Sequence, residues 1–132
     1  MDDKVREFLE SNHHAVMTTL RKDGTPHVAR MDVGLVDGKL WSSGTQTRVR
    51  TKHLRRDPRA ALAVLDFDGG YRWLGLDCRV TILEGEDAPE LNLKLYRTIA
   101  KEPDDVEEYL TAMVTEQRLI YEFEIVKLYG VY

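Results

Sequence analysis

The residues best suited to chemistry crowd into one stretch, Gly44 to Arg59, reading GTQTRVRTKHLRRDPR. Six basic side chains (Arg48, Arg50, Lys52, Arg55, Arg56 and Arg59) stand there against a single acid, Asp57, in a chain of formal net charge −4. Such a surplus on an acidic protein points to one specific anion rather than to general affinity for polyanions. Gly44 offers an exit from the preceding strand, Thr45 or Thr47 is placed to cap a helix running to about Arg56, and Asp57-Pro58 stops it. The free N–H groups of that helix start, the hydroxyls of Ser42, Ser43, Thr45 and Thr47, and the forked donors of Arg48 and Arg50 together make a phosphate seat. Two other readings fit the same residues: a solvated basic helix without a ligand, and a nucleic-acid contact. Against the second stand the acidic balance, a sequence pI of about 5.6, and the lack of a helix-turn-helix, zinc-finger or RNA-platform pattern.

Other reactive residues carry less. His13 and His14 are sequence neighbours, so they point apart on a helix or strand, and no partner at HExxH-like spacing accompanies them; no metal site is expected. The lone Cys78 excludes an internal disulfide and a cysteine cage, and reads as a small apolar core residue. No triad or paired-carboxylate motif is evident. The four histidines and Tyr71 are candidate proton donors, and no catalytic residue is assigned.

The elements that must position these residues are mostly strands. A chain of 132 residues, 42% hydrophobic and 32% charged, fits one globular domain over 1–132. With no signal peptide and no long apolar run, the expected place is the cytoplasm, with no membrane contact. Val5, Phe8 and Leu9 mark a short amphipathic helix over Asp2 to Asn12. Ala15 to Leu20 and Thr25 to Val36 read as a hairpin about Asp23-Gly24, and a second turn at Asp37-Gly38 leads to Leu40-Trp41, giving a three-stranded meander. Ala60 to Phe67 is apolar on both faces and suits a barrel wall. The run after Gly70 alternates, with Leu74, Leu76, Cys78, Val80 and Ile82 on one side and Tyr71 and Trp73 at the start of the other. Two helices follow, one striped by Leu91, Leu95 and Ile99, the other burying Val106, Leu110, Met113 and Val114, and Arg118 to Leu128 closes the sheet. A small antiparallel barrel with flanking helices accounts for this order.

With these residues in view the chain resembles a known family. TTLRKDGTPHVARMDV, the basic RVRTKHLRRDPRAALAV, a Gly-Tyr-Arg-Trp strand and the late LYRTIAKEP and EEYLTAMVTEQRLIYEFEIVKLYG segments are similar to the split-barrel flavin and deazaflavin oxidoreductases, the fold of pyridoxamine phosphate oxidase. Within that family it resembles actinobacterial enzymes that bind coenzyme F420. The likeness covers nearly the whole chain; RTKHLRRDPRA and the LYRTIA to AMVTEQR region are its most specific parts. It implies a mainly β, FMN-binding type of split barrel. It implies that Pro26, His27, Val28, Ala29 and Arg30 run along the tricyclic ring, largely through main chain, and that Ser43, Gly44, Thr45, Gln46 and Thr47 border ring and linker. Arg48, Val49 and Arg50 then lie at the phosphate. Tyr71, Arg72, Trp73 and Leu74 reach the ring from the second subunit of a homodimer with two interfacial sites.

In such an enzyme the cofactor carries the hydride and the protein supplies position and excludes water. One phosphate satisfies flavin mononucleotide (FMN), whereas the deazaflavin F420 adds a tail of glutamates. Arg48, Arg50, Lys52, Arg55 and Arg56 exceed what one phosphate needs, which favours the deazaflavin, with FMN the alternative. A non-catalytic cofactor or haem binder on the same barrel stays open, since fold does not fix function. The substrate expected is a small unsaturated molecule.

Overall fold

A computed structural model describes residues 1–132. Seven strands and four helices follow in the order α1 (Asp3–Ser11), β1 (His14–Leu20), β2 (Pro26–Asp32), β3 (Gly34–Val36), β4 (Lys39–Thr45), α2 (Val49–Arg56), β5 (Arg59–Leu65), β6 (Trp73–Leu83), α3 (Ala88–Ile99), α4 (Val106–Thr115) and β7 (Arg118–Val131). Every pairing is antiparallel, and the order across the sheet is β2-β1-β5-β6-β7-β4-β3. β2 and β3 occupy opposite edges, yet only Val33 separates them in the chain, so the sheet curls until its edges approach. Ser42 of β4 clasps the seam, its hydroxyl donating to the Asp32 carbonyl of β2 at 2.6 Å. This is the split antiparallel barrel with flanking helices that the sequence implied.

Strand alternation fills the interior. Ala15, Met17 and Thr19 of β1, Ala60, Leu62 and Val64 of β5, Leu74, Leu76, Cys78 and Val80 of β6, and Leu119, Tyr121 and Phe123 of β7 are all buried. α1 adds Val5, Phe8 and Leu9 as its periodicity predicts, and Asp2 caps it by accepting from the Val5 N–H at 3.0 Å. Burial pushes the Cys78 thiol up to about 12, consistent with an inert core residue.

Three expectations change. The meander does not form as one ladder: the returning strand breaks at Val33, which turns fully into the core while Gly34 passes against Ile99 and Leu95 of α3, where a Cβ would collide with Ile99. In α4 only Met113 is buried, and Val114 is exposed, because α4 leans chiefly on α3 rather than on the barrel. Tyr71 and Arg72 precede β6 instead of starting it; Arg72 is held by Asp66 at 3.0 Å.

Candidate cofactor site

β2 is an edge strand, and the phase of its ladder decides what that edge offers. The Arg21 N–H donates to the Thr25 carbonyl at 2.9 Å, and the Val33 N–H to the His13 carbonyl at 2.8 Å, fixing a hydrogen-bonded pair at each end. Bonded pairs alternate in an antiparallel ladder, so His27, Ala29 and Met31 spend their main-chain groups on β1, while Val28 and Arg30 turn theirs to the free edge. The flanking positions are already answered. Pro26 has no N–H, and its carbonyl accepts from Arg21 Nη1 at 2.6 Å; the Asp32 carbonyl is taken by Ser42. What remains open is a short run of main-chain donors and acceptors at Val28 and Arg30, with the Val28 side chain 64% exposed.

α2 closes the adjacent end of the barrel. Its Thr51 is fully buried, donating to the Thr45 carbonyl at 2.6 Å and meeting the Tyr121 hydroxyl; Leu54 enters the core, and Arg56 donates to the Leu20 carbonyl at 2.5 Å. His53, 7% exposed, pairs through Nδ1 with Thr19 Oγ1 at 2.9 Å and packs edge to face on His27, centroids 5.1 Å apart. Burial, then His27, Arg56 and Arg21, hold the His53 imidazole below its ordinary range.

The helix starts later than its sequence suggests. Arg48 is the N-cap and makes no side-chain cap bond, while the hydroxyls of Thr45 and Thr47 face each other at 3.4 Å. Its first turn therefore keeps N–H groups without a side-chain partner. Arg55 is clamped by Glu84 at 2.8 and 2.9 Å, and Arg59 by Asp57, whose carboxyl the arginine draws down to about 2. Arg48, Arg50, Lys52 and Arg56 form no ion pair. Two side-chain nitrogens in the molecule are buried without a partner, and both belong here: Arg50 Nε and His27 Nδ1. An uncapped helix start, unneutralised cations and orphaned buried nitrogens fit a phosphorylated cofactor.

Pro26 to Arg30, Thr45 to Arg50 and the start of α2 thus share one end of the barrel, and other predicted residues are placed differently. The Ser43 hydroxyl donates to Asn92 Oδ1 of α3 at 2.5 Å, and Ser42 serves the seam, so neither hydroxyl is free for an anion. Gly44 is still in β4, paired with Leu119; its missing side chain leaves room for the Tyr121 ring, with which a Cβ would collide, and the strand exit comes after Thr45. Tyr71, Arg72, Trp73 and Leu74 sit where β5 ends and β6 begins, about 20 Å from α2 along a seven-residue strand. One chain does not bring them to α2. Leu74 is in addition fully buried in the core, so its side chain faces no ligand. From sequence His53 was only one of four histidines offered as proton donors; the signal for its place here was its position one helical turn beyond Arg50.

Pro26 to Arg30, Ser43 to Arg50 and the rest of α2 line none of the four main concavities of the chain. One of these, about 340 Å³, lies on the outer sheet face over Thr18, Leu20, Ala61, Asp77, Arg79 and Val126. The cofactor edge is a ledge lacking a second wall.

Comparison with known proteins agrees with this architecture. A family model described as pyridoxamine 5'-phosphate oxidase matches residues 1–132. A curated F420H2-dependent biliverdin reductase from Mycobacterium tuberculosis is 33% identical over 88 residues, covering 67% of this chain and 64% of its own length, so the match spans less than two thirds of that relative. Among solved structures, a conserved hypothetical protein from Mycobacterium tuberculosis superposes with a TM-score of 0.82 at 18% identity, covering 99% of this chain and 84% of the other. One described as an F420 reductase gives 0.72 at 23% identity over 98% of both chains. The haem storage protein of Vibrio cholerae gives 0.73 at 12% identity over 98% of this chain and 94% of the other, sharing the fold alone.

Proposed function

The chain belongs to the pyridoxamine 5'-phosphate oxidase family, and on that premise we propose that it is an oxidoreductase that binds coenzyme F420 and passes hydride between the reduced coenzyme and a small conjugated acceptor. The observation that carries this reading is the uncapped, unneutralised start of α2, with Arg50 Nε buried and unpartnered, beside the open main-chain edge of Val28 and Arg30. The coenzyme supplies the hydride chemistry when bound. Arg48 and Arg50 hold its phosphate, with Gln46, Thr47 and Val49 bordering the linker. Val28 and Arg30 offer main-chain groups to the polar rim of the ring, and Pro26, His27 and Ala29 set their phase.

Four cations without ion pairs exceed the need of a single phosphate, and Lys52 and Arg56 suit the carboxylates of the F420 tail. Each exposed pair gains at most about 1 kcal/mol, so several are needed. That surplus and the F420-dependent relative together favour F420 over FMN.

The site is completed by a second copy of the chain, as one cofactor-binding domain per subunit. The outer sheet face carries the small residues Thr18 and Ala61 and, on β7, an exposed Val126 (66%) and Val131, with Tyr71 (83%) at its rim. Covering that face supplies the missing wall and brings Tyr71, Arg72 and Trp73 of the partner toward the ledge, which excludes water from the ring. No helix is long and apolar enough to cross a membrane, and a cytoplasmic enzyme is the reading we keep.

Side-by-side titration with F420 and FMN tests the assignment, followed by anaerobic addition of reduced F420 with a furanone, a quinone or biliverdin. F420 binding and reoxidation by one of these acceptors is the expected result. Tighter binding of FMN moves the assignment to a flavin oxidoreductase; binding of neither coenzyme refutes it.

A further inference from the structure

We infer that the anion seat on α2 is proton-linked: the His27–His53 pair joining α2 to β2 takes up one proton when a phosphate or sulfate group docks. This deepens the functional reading and rests on its seat, though not on which coenzyme fills it.

The pair is well packed but incompletely bonded. The two rings meet edge to face at 80°, with centroids 5.1 Å apart. Only one of their contacts has a defined polar partner, His53 Nδ1 with Thr19 Oγ1 at 2.9 Å. His27 Nδ1 is buried and meets neither donor nor acceptor. Arg50 stands three residues before His53, so the two side chains are neighbours on one face of α2, and its Nε is the other buried nitrogen without a partner. The site therefore has an orphaned imidazole nitrogen and an orphaned guanidinium nitrogen on the two elements that the seat joins. A polar group buried without a partner in a native structure marks a place where a ligand, ion or water completes it.

The charges facing the pair set the direction of the linkage. Around His53 they are Arg56 from α2 and Arg21 from the β1–β2 turn, with His27 opposite; the histidine paired with a carboxylate is His14, elsewhere on β1. Burial opposes protonation of His53, and two nearby guanidiniums with no acid beside them add to that cost. A docked dianion offsets those positive charges. A proton on the imidazole pair then balances the ligand and turns an orphaned acceptor into a donor. By reciprocity, a ligand that draws in a proton binds more tightly as pH falls. For one proton the dependence reaches about tenfold in Kd per pH unit, and only between the free and bound ionisation ranges of the pair.

Inorganic sulfate is the probe, because it keeps two charges across about pH 5 to 8. Calorimetry in two buffers of different ionisation enthalpy counts protons taken up, and the histidine Cε1–H signals of the unaltered protein are followed with and without sulfate. The expected result is a sulfate Kd that tightens toward tenfold per pH unit, uptake approaching one proton, two histidine midpoints moved upward by sulfate, and a flat profile in His27→Gln. The inference is overturned by absence of sulfate binding, by a pH-flat Kd, by a slope that survives His27→Gln, or by histidine midpoints that sulfate does not move. The last measurement needs no variant. Repeating the calorimetry with F420 separates the two readings: linkage with sulfate but no F420 binding refutes the coenzyme assignment alone, whereas F420 binding without proton uptake refutes the linkage alone.

Discussion

Arg50→Ala is the most informative single change, because the proposed function gives Arg50 a role in binding while the ligand-free fold gives it no partner. Its guanidinium has no ion pair, and its Nε is buried without a partner, so the free protein bears that nitrogen at a cost. A charged hydrogen bond contributes about 1.5–3 kcal/mol net, which converts to roughly 10- to 150-fold in Kd. Arg48 and Lys52 remain nearby to share the anion, so the lower half of that range is expected. Arg50→Lys keeps the charge, loses the fork, and should fall between the two. The ligand-free Tm should move by less than about 2 °C, since the change removes no native partner. Fluorescence titration with F420, paired with thermal unfolding with and without it, reads both quantities. A Kd within twofold of the parent refutes the seat. An apo Tm that drops by several degrees would instead make Arg50 a structural residue.

Three further outcomes follow from the same contacts. Gly44→Ala puts a methyl group into the Tyr121 ring, which is fully buried and bonded to Thr51, so overpacking should cost about 1–3 kcal/mol; an unchanged unfolding midpoint would dismiss the collision. His53 has a depressed folded-state ionisation, so the unfolded chain binds its proton first as pH falls. Its stabilising contribution is complete above the ordinary value near 6.5 and is lost as pH falls from there through the folded-state value. Urea unfolding at stepped pH should show this decline, and His53→Gln should flatten it; a parent profile level below pH 6.5 contradicts the buried neutral imidazole. Val126→Asp places a charge on the face assigned to the second copy. Light scattering should report a folded monomer with weakened F420 binding, and a dimer that persists would move the interface elsewhere.

The parts of the fold that were legible are those set by local periodicity and charge. α1, the β1–β2 hairpin and the alternating interior of β6 follow from spacing alone, and the cation run located α2. The break at Val33 was not legible, because it depends on where the sheet closes: a strand continuous in sequence must part when its halves serve opposite edges of one curled sheet. Val114 misled for a related reason, since helix periodicity gives the apolar face but not whether a neighbour covers it.

Within the site, sequence overcounted the ligands and undercounted the scaffold. Ser42 and Ser43 stand beside the basic run and carry hydroxyls, yet each is committed to a partner from a distant element: Asp32 across the seam, and Asn92, which is 49 residues away. Arg55 left the cation count the same way, through Glu84, which is 29 residues away. The subtraction leaves Arg48, Arg50, Lys52 and Arg56 without an acidic partner, Arg56 donating to the Leu20 carbonyl, beside the orphaned nitrogens of Arg50 and His27. The same logic explains the unfinished ledge at β2. An edge strand with free main-chain groups invites unwanted pairing and is ordinarily covered or charged; here Val28 and Arg30 stay open on a barrel whose outer face also exposes Val126 and Val131. Leaving both uncovered in one molecule is costly unless the two gaps are filled together, by a flat ligand along the edge and a second chain over the face.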